Sequence, residues 1–181
     1  AHSITAIMIV TGTSSMRIEI PALCPSDVHV WILRLDSIEP VPALVACLSQ
    51  DERARADRYH FAHDAQRYRI TRGALRQLLS RHLAVAPEMI QFQYSKEGRP
   101  TLDPSTSGLS FSVTHSGARA AIALSLGRAV GVDLEHGAVA FFRREGELAS
   151  ALHHPHILRT SPIEVVDGVE FFEMEEVKQT L

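Results

Sequence analysis

The stretch from Phe111 to His136 contains the residues with the clearest chemistry in this sequence. Thr114, His115 and Ser116 stand together at the end of an apolar run, and Asp133 and Glu135 follow two positions apart. Hydroxyl and imidazole groups can donate hydrogen bonds to phosphate oxygens. Carboxylates hold Mg²⁺, which usually takes one or two of them together with substrate phosphates and water. The open alternatives are a solvated strand end for the acids and a His that binds a nearby carbonyl.

A second candidate feature is an excess of arginine in the preceding region. Residues 51–81 contain eight arginines against four acidic residues, although the whole chain has a net charge of −3. Such a local excess is a candidate anion site. The stripe formed by Arg69, Arg72 and Arg76 has a simpler alternative, a solvated helix face. Taken with the Thr-His-Ser triplet and the acidic pair, the arginines favour a Mg²⁺-dependent, phosphate-handling site.

Two predicted helices carry these arginines. Ser49 and Glu52 have the spacing of a capping box, which predicts a helix that runs through "DERARADRYHF". The clearest helical periodicity lies in Ala65–Leu83, where leucine and isoleucine side chains fall on one face and arginines on another.

Strands are predicted on both sides of these helices. Asp27–Asp36 mixes alternating polarity with β-branched and aromatic residues. Later, "LSFSVTHS", "ARAAIALSL" and "AVGVDLEH" predict three strands joined by short turns. Residues two apart in a strand point to the same face, so the third strand would present Asp133 and Glu135 together. A helix followed by a cluster of strands predicts an α+β fold.

Length and composition limit the remaining possibilities. The 181 residues suit one domain or two small lobes, and the sequence contains no membrane-spanning run. A net charge of −3 gives no general attraction to nucleic acid or anionic membrane. Two isolated cysteines agree with a cytoplasmic protein. We expect residues 1–15 to be a loose extension, residues 16–136 the main lobe and residues 137–181 a diverged or foreign tail.

Four motifs in order give the sequence a resemblance to a known family. They are "DAQRYRITRGALRQLL", "KEGRPTL", "FSVTHSG" and "VGVDLE". Over about residues 49–136 the chain resembles the 4′-phosphopantetheinyl transferases of the type that activates peptide synthetases, which serve secondary metabolite biosynthesis. Arg99 stands where the family has lysine, Ser112 where it has asparagine, and Thr114 where it has serine. The resemblance implies a half-fold in which a helix packs on an antiparallel sheet, followed here by a helix-hairpin tail.

The resemblance also implies an activity and roles for particular residues. The family uses Mg²⁺ to move the phosphopantetheine arm of coenzyme A to a serine of an acyl or peptidyl carrier protein. Asp133 and Glu135 are the implied metal ligands, and with His115 they form the implied catalytic set. The residues implied to contact the phosphates of coenzyme A are Arg53, Arg55, Arg67, Arg99, Thr114 and His115.

The sequence departs from this family after Glu135. The family's second lobe carries Trp-x-x-Lys-Glu-Ala-x-x-Lys, whereas the only tryptophan here is Trp31 and the only later lysine is Lys178. Residues 141–181 instead resemble a fragment of a bacterial Ser/Thr protein kinase N-lobe, without the Gly-rich loop, strand-3 lysine, HRD or DFG motifs. Impaired transfer is therefore expected, and the alternative is a non-catalytic protein that binds coenzyme A or a carrier protein, or an inactive fusion remnant.

Overall fold

The fold was described from a computed structural model. The chain divides into two compact units, Ala1–Leu134 and Glu135–Leu181, and each is described by itself. The structure describes residues 3–9, 22–25, 27–36, 42–96, 98–103, 108–134, 164–166 and 169–171.

A four-stranded sheet forms the centre of the first unit. Its strands are β1 (Ser3–Ile9), β2 (Asp27–Arg34), β5 (Leu109–Ser116) and β6 (Arg119–Leu126), in the order β1-β2-β6-β5. β6 pairs antiparallel with both β2 and β5, whereas β1 adds to the edge of β2 in parallel. The two-residue turn between β5 and β6 makes the antiparallel pair local in sequence, and it holds Thr114 opposite Ala121.

Within the described residues, three α-helices accompany this sheet. They are α1 (Pro42–Ala46), α2 (Gln50–Ala56) and α3 (Ala62–Leu83). The predicted capping box is confirmed: the Glu52 backbone N–H donates to the Ser49 hydroxyl, and the Glu52 carboxylate accepts from the Ser49 backbone N–H. α2 ends sooner than predicted, and a separate helix begins after Phe61 because the intervening residues form a turn.

Short elements complete the description. A single 3₁₀ turn (Pro87–Met89) follows α3, and β3 (Gln93–Tyr94) pairs antiparallel with β4 (Pro100–Thr101). In the second unit, β7 (Glu164–Val166) pairs antiparallel with β8 (Val169–Phe171). This pairing agrees with the predicted hairpin, whose turn lies outside the described residues, as does the predicted tail helix.

The core of the first unit lies between α3 and the sheet. Leucine and isoleucine side chains of α3 pack against the inner faces of β2, β5 and β6 around the fully buried Trp31. The combination of this helix with a largely antiparallel sheet confirms the α+β class. None of the helices within the described ranges is both long and apolar enough to cross a membrane.

Two segments differ from the expected arrangement. Residues 1–15 were expected to be a loose extension, yet Ser3–Ile9 within them forms the parallel edge strand. The prediction of a strand over "AVGVDLEH" is wrong for the part that is described, since residues 129–134 carry no strand. Their contacts come from side chains instead: the Val132 backbone N–H, for example, donates to the Ser112 hydroxyl at 3.2 Å.

Gly73 allows α1 and α3 to approach closely. A Cβ atom at this position would lie 2.8 Å from the carbonyl carbon of Leu44 and equally close to its Cβ. We expect Gly73→Ala to lower the free energy of unfolding by about 1–3 kcal/mol, although alanine favours helix by about 1 kcal/mol. Gly131→Ala is the control, because a Cβ atom added there would have no atom within 4 Å apart from its chain neighbours. Equal stability of the two variants in urea unfolding would contradict the prediction.

Two histidines flank the buried Trp31. Its ring lies edge-on to His29 and to His82, with centroid distances of 5.6 and 6.4 Å. Burial lowers the pKa of His29, an effect that Asp27 opposes. Burial also lowers the pKa of His82, and the neighbouring His29 lowers it further. Burial therefore favours the neutral form of both side chains.

This pair makes stability sensitive to acid. The unfolded chain takes up protons on histidine below a pH of about 6.5, whereas the folded chain resists them. The free energy of unfolding should therefore fall as the pH drops below that value, by up to about 1.4 kcal/mol per pH unit for each histidine. We expect His82→Gln to flatten this slope, measured by Trp31 fluorescence, and the exposed His60→Gln to leave it unchanged. A slope unaffected by His82→Gln would refute this account.

Candidate phosphate-binding site

A cavity of about 650 Å³ opens between α2, α3 and β5 in the first unit. Its wall brings together residues that are distant in sequence and that the motifs had singled out. The predicted site residues that line it are Arg55, Arg67, Arg99 and His115. Positive charge from three separate elements therefore faces one space, which suits a ligand with several negative charges.

Two of the arginines that line the cavity come from different helices. Arg55 lies at the end of α2, and its guanidinium stands 5.8 Å from the centre of the Tyr68 ring. Arg67 lies one turn into α3 and forms an ion pair of 3.5 Å with Asp64. Arg53 is not among the lining residues. Its Nη2 donates to the Ala46 carbonyl at 2.9 Å instead. Arg53 and Arg55 have different surroundings because positions two apart on a helix face different directions.

Arg99 joins the cavity wall to the segment that bears Asp133. It follows the turn after β3, and its Nη2 donates to the Val130 carbonyl at 3.2 Å and lies 3.5 Å from the Ser112 hydroxyl. The same hydroxyl accepts the Val132 backbone N–H. Residues 130–132 are therefore held by two side chains that also line the cavity.

Asp133 is positioned by a side-chain hydrogen bond. The Thr114 hydroxyl donates to Asp133 Oδ1 at 3.1 Å, and the Leu134 backbone N–H donates to the same oxygen at 2.9 Å. The residues on either side of Thr114, Val113 and His115, line the cavity. The exposed Asp133 carboxylate thus lies beside Thr114, whose side chain points away from the strand face of Val113 and His115, and Asp133 is not among the residues that line the cavity.

The Asp133 carboxylate offers the type of ligand atom that a magnesium ion prefers. An exposed carboxylate oriented by a neighbouring hydroxyl is a hard oxygen ligand, and Mg²⁺ commonly takes only one or two of these from protein. The second predicted ligand, Glu135, lies outside the described residues. Within the ranges that are described, no group of three or more His, Cys, Asp or Glu side chains is arranged to hold a metal.

A buried ion-pair cluster beside the cavity was not anticipated from the sequence. Glu52 is 2% exposed and lies between Arg72 and Arg76, which are 7% and 2% exposed. Arg76 Nε donates to Glu52 Oε2 at 2.7 Å, and Arg72 Nε lies 3.2 Å from Oε1. The interpretation of these arginines as a solvated stripe is therefore wrong for Arg72 and Arg76. The available signal was the charge of Glu52, which had been assigned only to the capping box.

Comparison with known proteins identifies what this part of the chain is similar to. A family profile described as "4′-phosphopantetheinyl transferase, N-terminal" matches residues 37–126. The match includes both helices that bear arginines, strand β5 and the Thr-His-Ser triplet. It confirms the family resemblance over the first three of the four motifs, and the fourth, "VGVDLE" (residues 130–135), follows the matched range.

Curated relatives agree with this match. The 4′-phosphopantetheinyl transferase HetI of Nostoc sp. (strain PCC 7120) is 38% identical over 117 residues, 63% of this chain and 49% of that protein. A Synechocystis sp. (strain PCC 6803) protein with a name of the same kind is 39% identical over 114 residues, 62% of this chain and 42% of that protein. A phosphopantetheinyl transferase of Thraustochytrium sp. is 32% identical over 117 residues, 61% of this chain and 40% of that protein. The aligned region spans less than half of each relative.

Proposed function

We propose that this chain, whose residues 37–126 belong to the 4′-phosphopantetheinyl transferases, moves the phosphopantetheine arm of coenzyme A to a serine of an acyl or peptidyl carrier protein. The observation that carries the proposal is the cavity shared by Arg55, Arg67, Arg99 and His115. Arg67, Arg99 and His115 come from three separate motifs and Arg55 from the preceding helix, and a ligand with several phosphates would explain why these groups line one cavity.

Coenzyme A provides the phosphates that such a cavity would hold. In the proposed arrangement, Arg55 and Arg67 bind the nucleotide phosphates, while Arg99 and His115 contact the diphosphate. Arg99 replaces the family's lysine and keeps its positive charge. Its planar guanidinium presents several hydrogen-bond donors side by side, whereas a lysine ammonium is a compact charge. Thr114 retains a hydroxyl, although the structure has it donating to Asp133. A hydroxyl has one hydrogen to donate, so the proposed contact with a phosphate oxygen requires that hydrogen to turn from Asp133 to the phosphate on binding.

Asp133 and Glu135 are the proposed ligands of Mg²⁺. An ion held by these two residues would supply neutralisation of phosphate charge during the transfer, in which the bond between the β-phosphorus of coenzyme A and its bridging oxygen breaks. The carrier serine oxygen forms the new bond to that phosphorus, its proton passes to a base, and 3′,5′-ADP leaves. The contribution of this chain is positioning and electrostatic stabilisation by fixed donors.

One sequence observation favours a second candidate function. The Lys-Glu-Ala motif that supplies the family's third metal ligand and its favoured base is not found after Glu135. General-base assistance is worth roughly 10²–10⁴-fold in rate. A protein that binds coenzyme A or a carrier protein with little or no transfer would account for the same cavity.

A transfer assay separates the two candidates. Labelled coenzyme A, a generic carrier protein and Mg²⁺ are incubated with the full chain, and binding of coenzyme A is measured in parallel by calorimetry. Transfer above the enzyme-free background supports the catalytic proposal. Mg²⁺-dependent binding without transfer supports the second candidate. Absence of binding removes both.

A further inference from the structure

We infer that Arg72 is an additional anion-binding residue of the cavity and that Glu52 is the residue that positions it. The inference rests on the proposed function for the identity of the anion, the phosphates of coenzyme A. It does not follow from the four motifs, which contain Arg72 only as part of a helix. The contacts of Glu52, Arg72 and Arg76 carry it.

The buried cluster of Glu52, Arg72 and Arg76 carries a net positive charge. Glu52 contributes one negative charge, whereas Arg72 and Arg76 contribute two positive charges, so a net charge of +1 is held where solvent has little access. One arginine would satisfy the carboxylate. Burial of a second guanidinium is costly unless another anion or several hydrogen bonds compensate it.

The two arginines are compensated differently. Arg76 donates Nε to Glu52 at 2.7 Å, and its Nη1 donates to the carbonyls of Pro87 and Ile90 at 2.7 and 3.0 Å. Its role is thus to join α2, α3 and the 3₁₀ turn. The contact of Arg72 with Glu52 is longer, 3.2 Å, and within the described residues Glu52 Oε1 has no aligned hydrogen-bond donor.

Arg72 also differs from Arg76 in location. Arg72 lines the cavity, and Arg76 does not. The guanidinium of Arg72 lies 5.8 Å from the centre of the Tyr68 ring and 4.8 Å from that of Phe92, a ring that Arg76 also approaches at 5.2 Å. Two aromatic rings and one carboxylate therefore fix a charged group in the cavity wall. Such fixation reduces the entropy lost when the group binds an anion.

A polar group next to Arg72 supports the same conclusion. The Tyr68 hydroxyl oxygen is buried, and no hydrogen-bond partner for it is found in the described part of the chain. Tyr68 also lines the cavity. Buried hydroxyls are normally hydrogen-bonded, so we expect a ligand oxygen that binds Arg72 to accept a hydrogen bond from the Tyr68 hydroxyl as well.

The test compares Arg72→Gln with Arg76→Gln, a pair matched in helix, burial and acidic partner. Calorimetry at a temperature where both variants are folded measures the Kd of coenzyme A with Mg²⁺ and, separately, of inorganic pyrophosphate. We expect Arg72→Gln to raise the Kd about 10-fold or more, as for loss of a charge-assisted hydrogen bond. Arg76→Gln should change it less than about 3-fold, despite the stability that it loses. Arg72→Lys should recover part of the affinity.

The outcomes separate this inference from the proposed function. If the unsubstituted chain binds pyrophosphate through Arg72 but does not bind coenzyme A, the proposed function fails and the anion site stands. If it binds coenzyme A and the two glutamine variants weaken binding equally, Arg72 has only a structural role and the inference is overturned. Failure of the unsubstituted chain to bind either compound overturns both.

Discussion

Replacing Asp133 with alanine is expected to reduce Mg²⁺-dependent binding of coenzyme A, and any transfer, by about 10²-fold or more. The carboxylate is the hard oxygen ligand that the described part of the site offers at the Thr-His-Ser corner. Loss of an electrostatic contact that stabilises the transition state commonly costs 10²–10³-fold. Because Asp133 is exposed, the substitution should leave the folded structure intact.

The measurement is a titration of coenzyme A at several Mg²⁺ concentrations and again with a chelator. The chain and the Asp133→Ala variant should bind alike when the chelator is present and differ when Mg²⁺ is added. Asp36→Ala, which removes another exposed acid, is the control for a change in net charge. Thr114→Val should have a smaller effect, about 10-fold, because it removes the hydroxyl that orients the carboxylate and its proposed phosphate contact but leaves the carboxylate itself in place. If Asp133→Ala binds coenzyme A as tightly as the unsubstituted chain at saturating Mg²⁺, Asp133 is not a metal ligand.

The second large effect is expected at Glu52, where Glu52→Gln should lower the free energy of unfolding by about 3–5 kcal/mol. The substitution keeps the shape of the side chain but leaves two buried guanidinium groups without an anion. The amide N–H₂ of glutamine would also face arginine donors. A loss of this size is a large fraction of the 5–15 kcal/mol typical of a domain.

Asp51→Asn provides a matched comparison for Glu52→Gln. Asp51 lies in the same first turn of α2 and has the same favourable interaction with the helix dipole, but it is exposed. Its replacement should cost about 1 kcal/mol or less. Urea unfolding, with the slope checked for two-state behaviour, gives both values. A Glu52→Gln protein no less stable than Asp51→Asn would show that the buried cluster contributes no net stability.

The elements that could be predicted from sequence are those specified by neighbouring residues. Ser49 and Glu52 form a reciprocal cap three positions apart, and the predicted strand over Asp27–Asp36 corresponds to β2. Local hydrogen bonds and periodicity determine both. The same reasoning placed most of α3 and the β5–β6 pair, whose turn is only two residues long.

The features that were missed depend on contacts between distant segments. Arg72 and Arg76 have the spacing of a solvated helix face, and only the approach of α2 brings Glu52, 20 and 24 positions earlier, against them. The pairing of β1 with β2 is parallel and does not follow from a turn. In residues 129–134, alternating polarity resembled a strand, but side chains of Ser112 and Arg99 take the bonds that a neighbouring strand would make.

Part of the membership of the candidate site could be singled out from the sequence, whereas its arrangement could not. Arg55, Arg67, Arg99 and His115 were singled out, and the structure places all four around one cavity. Arg53 could not be separated from Arg55 without knowing which side of α2 faces the cavity, and the structure shows it bound to the end of α1. Their proposed contacts with coenzyme A await the binding measurements.

The hydrogen bond from Arg99 to the Val130 carbonyl has a thermodynamic consequence. One guanidinium contacts both the cavity and the backbone that leads to Asp133, so magnesium bound at Asp133 and a nucleotide bound in the cavity would be coupled through it. Linkage of this kind is reciprocal: whatever factor magnesium contributes to the affinity for a nucleotide, the nucleotide must return to the affinity for magnesium.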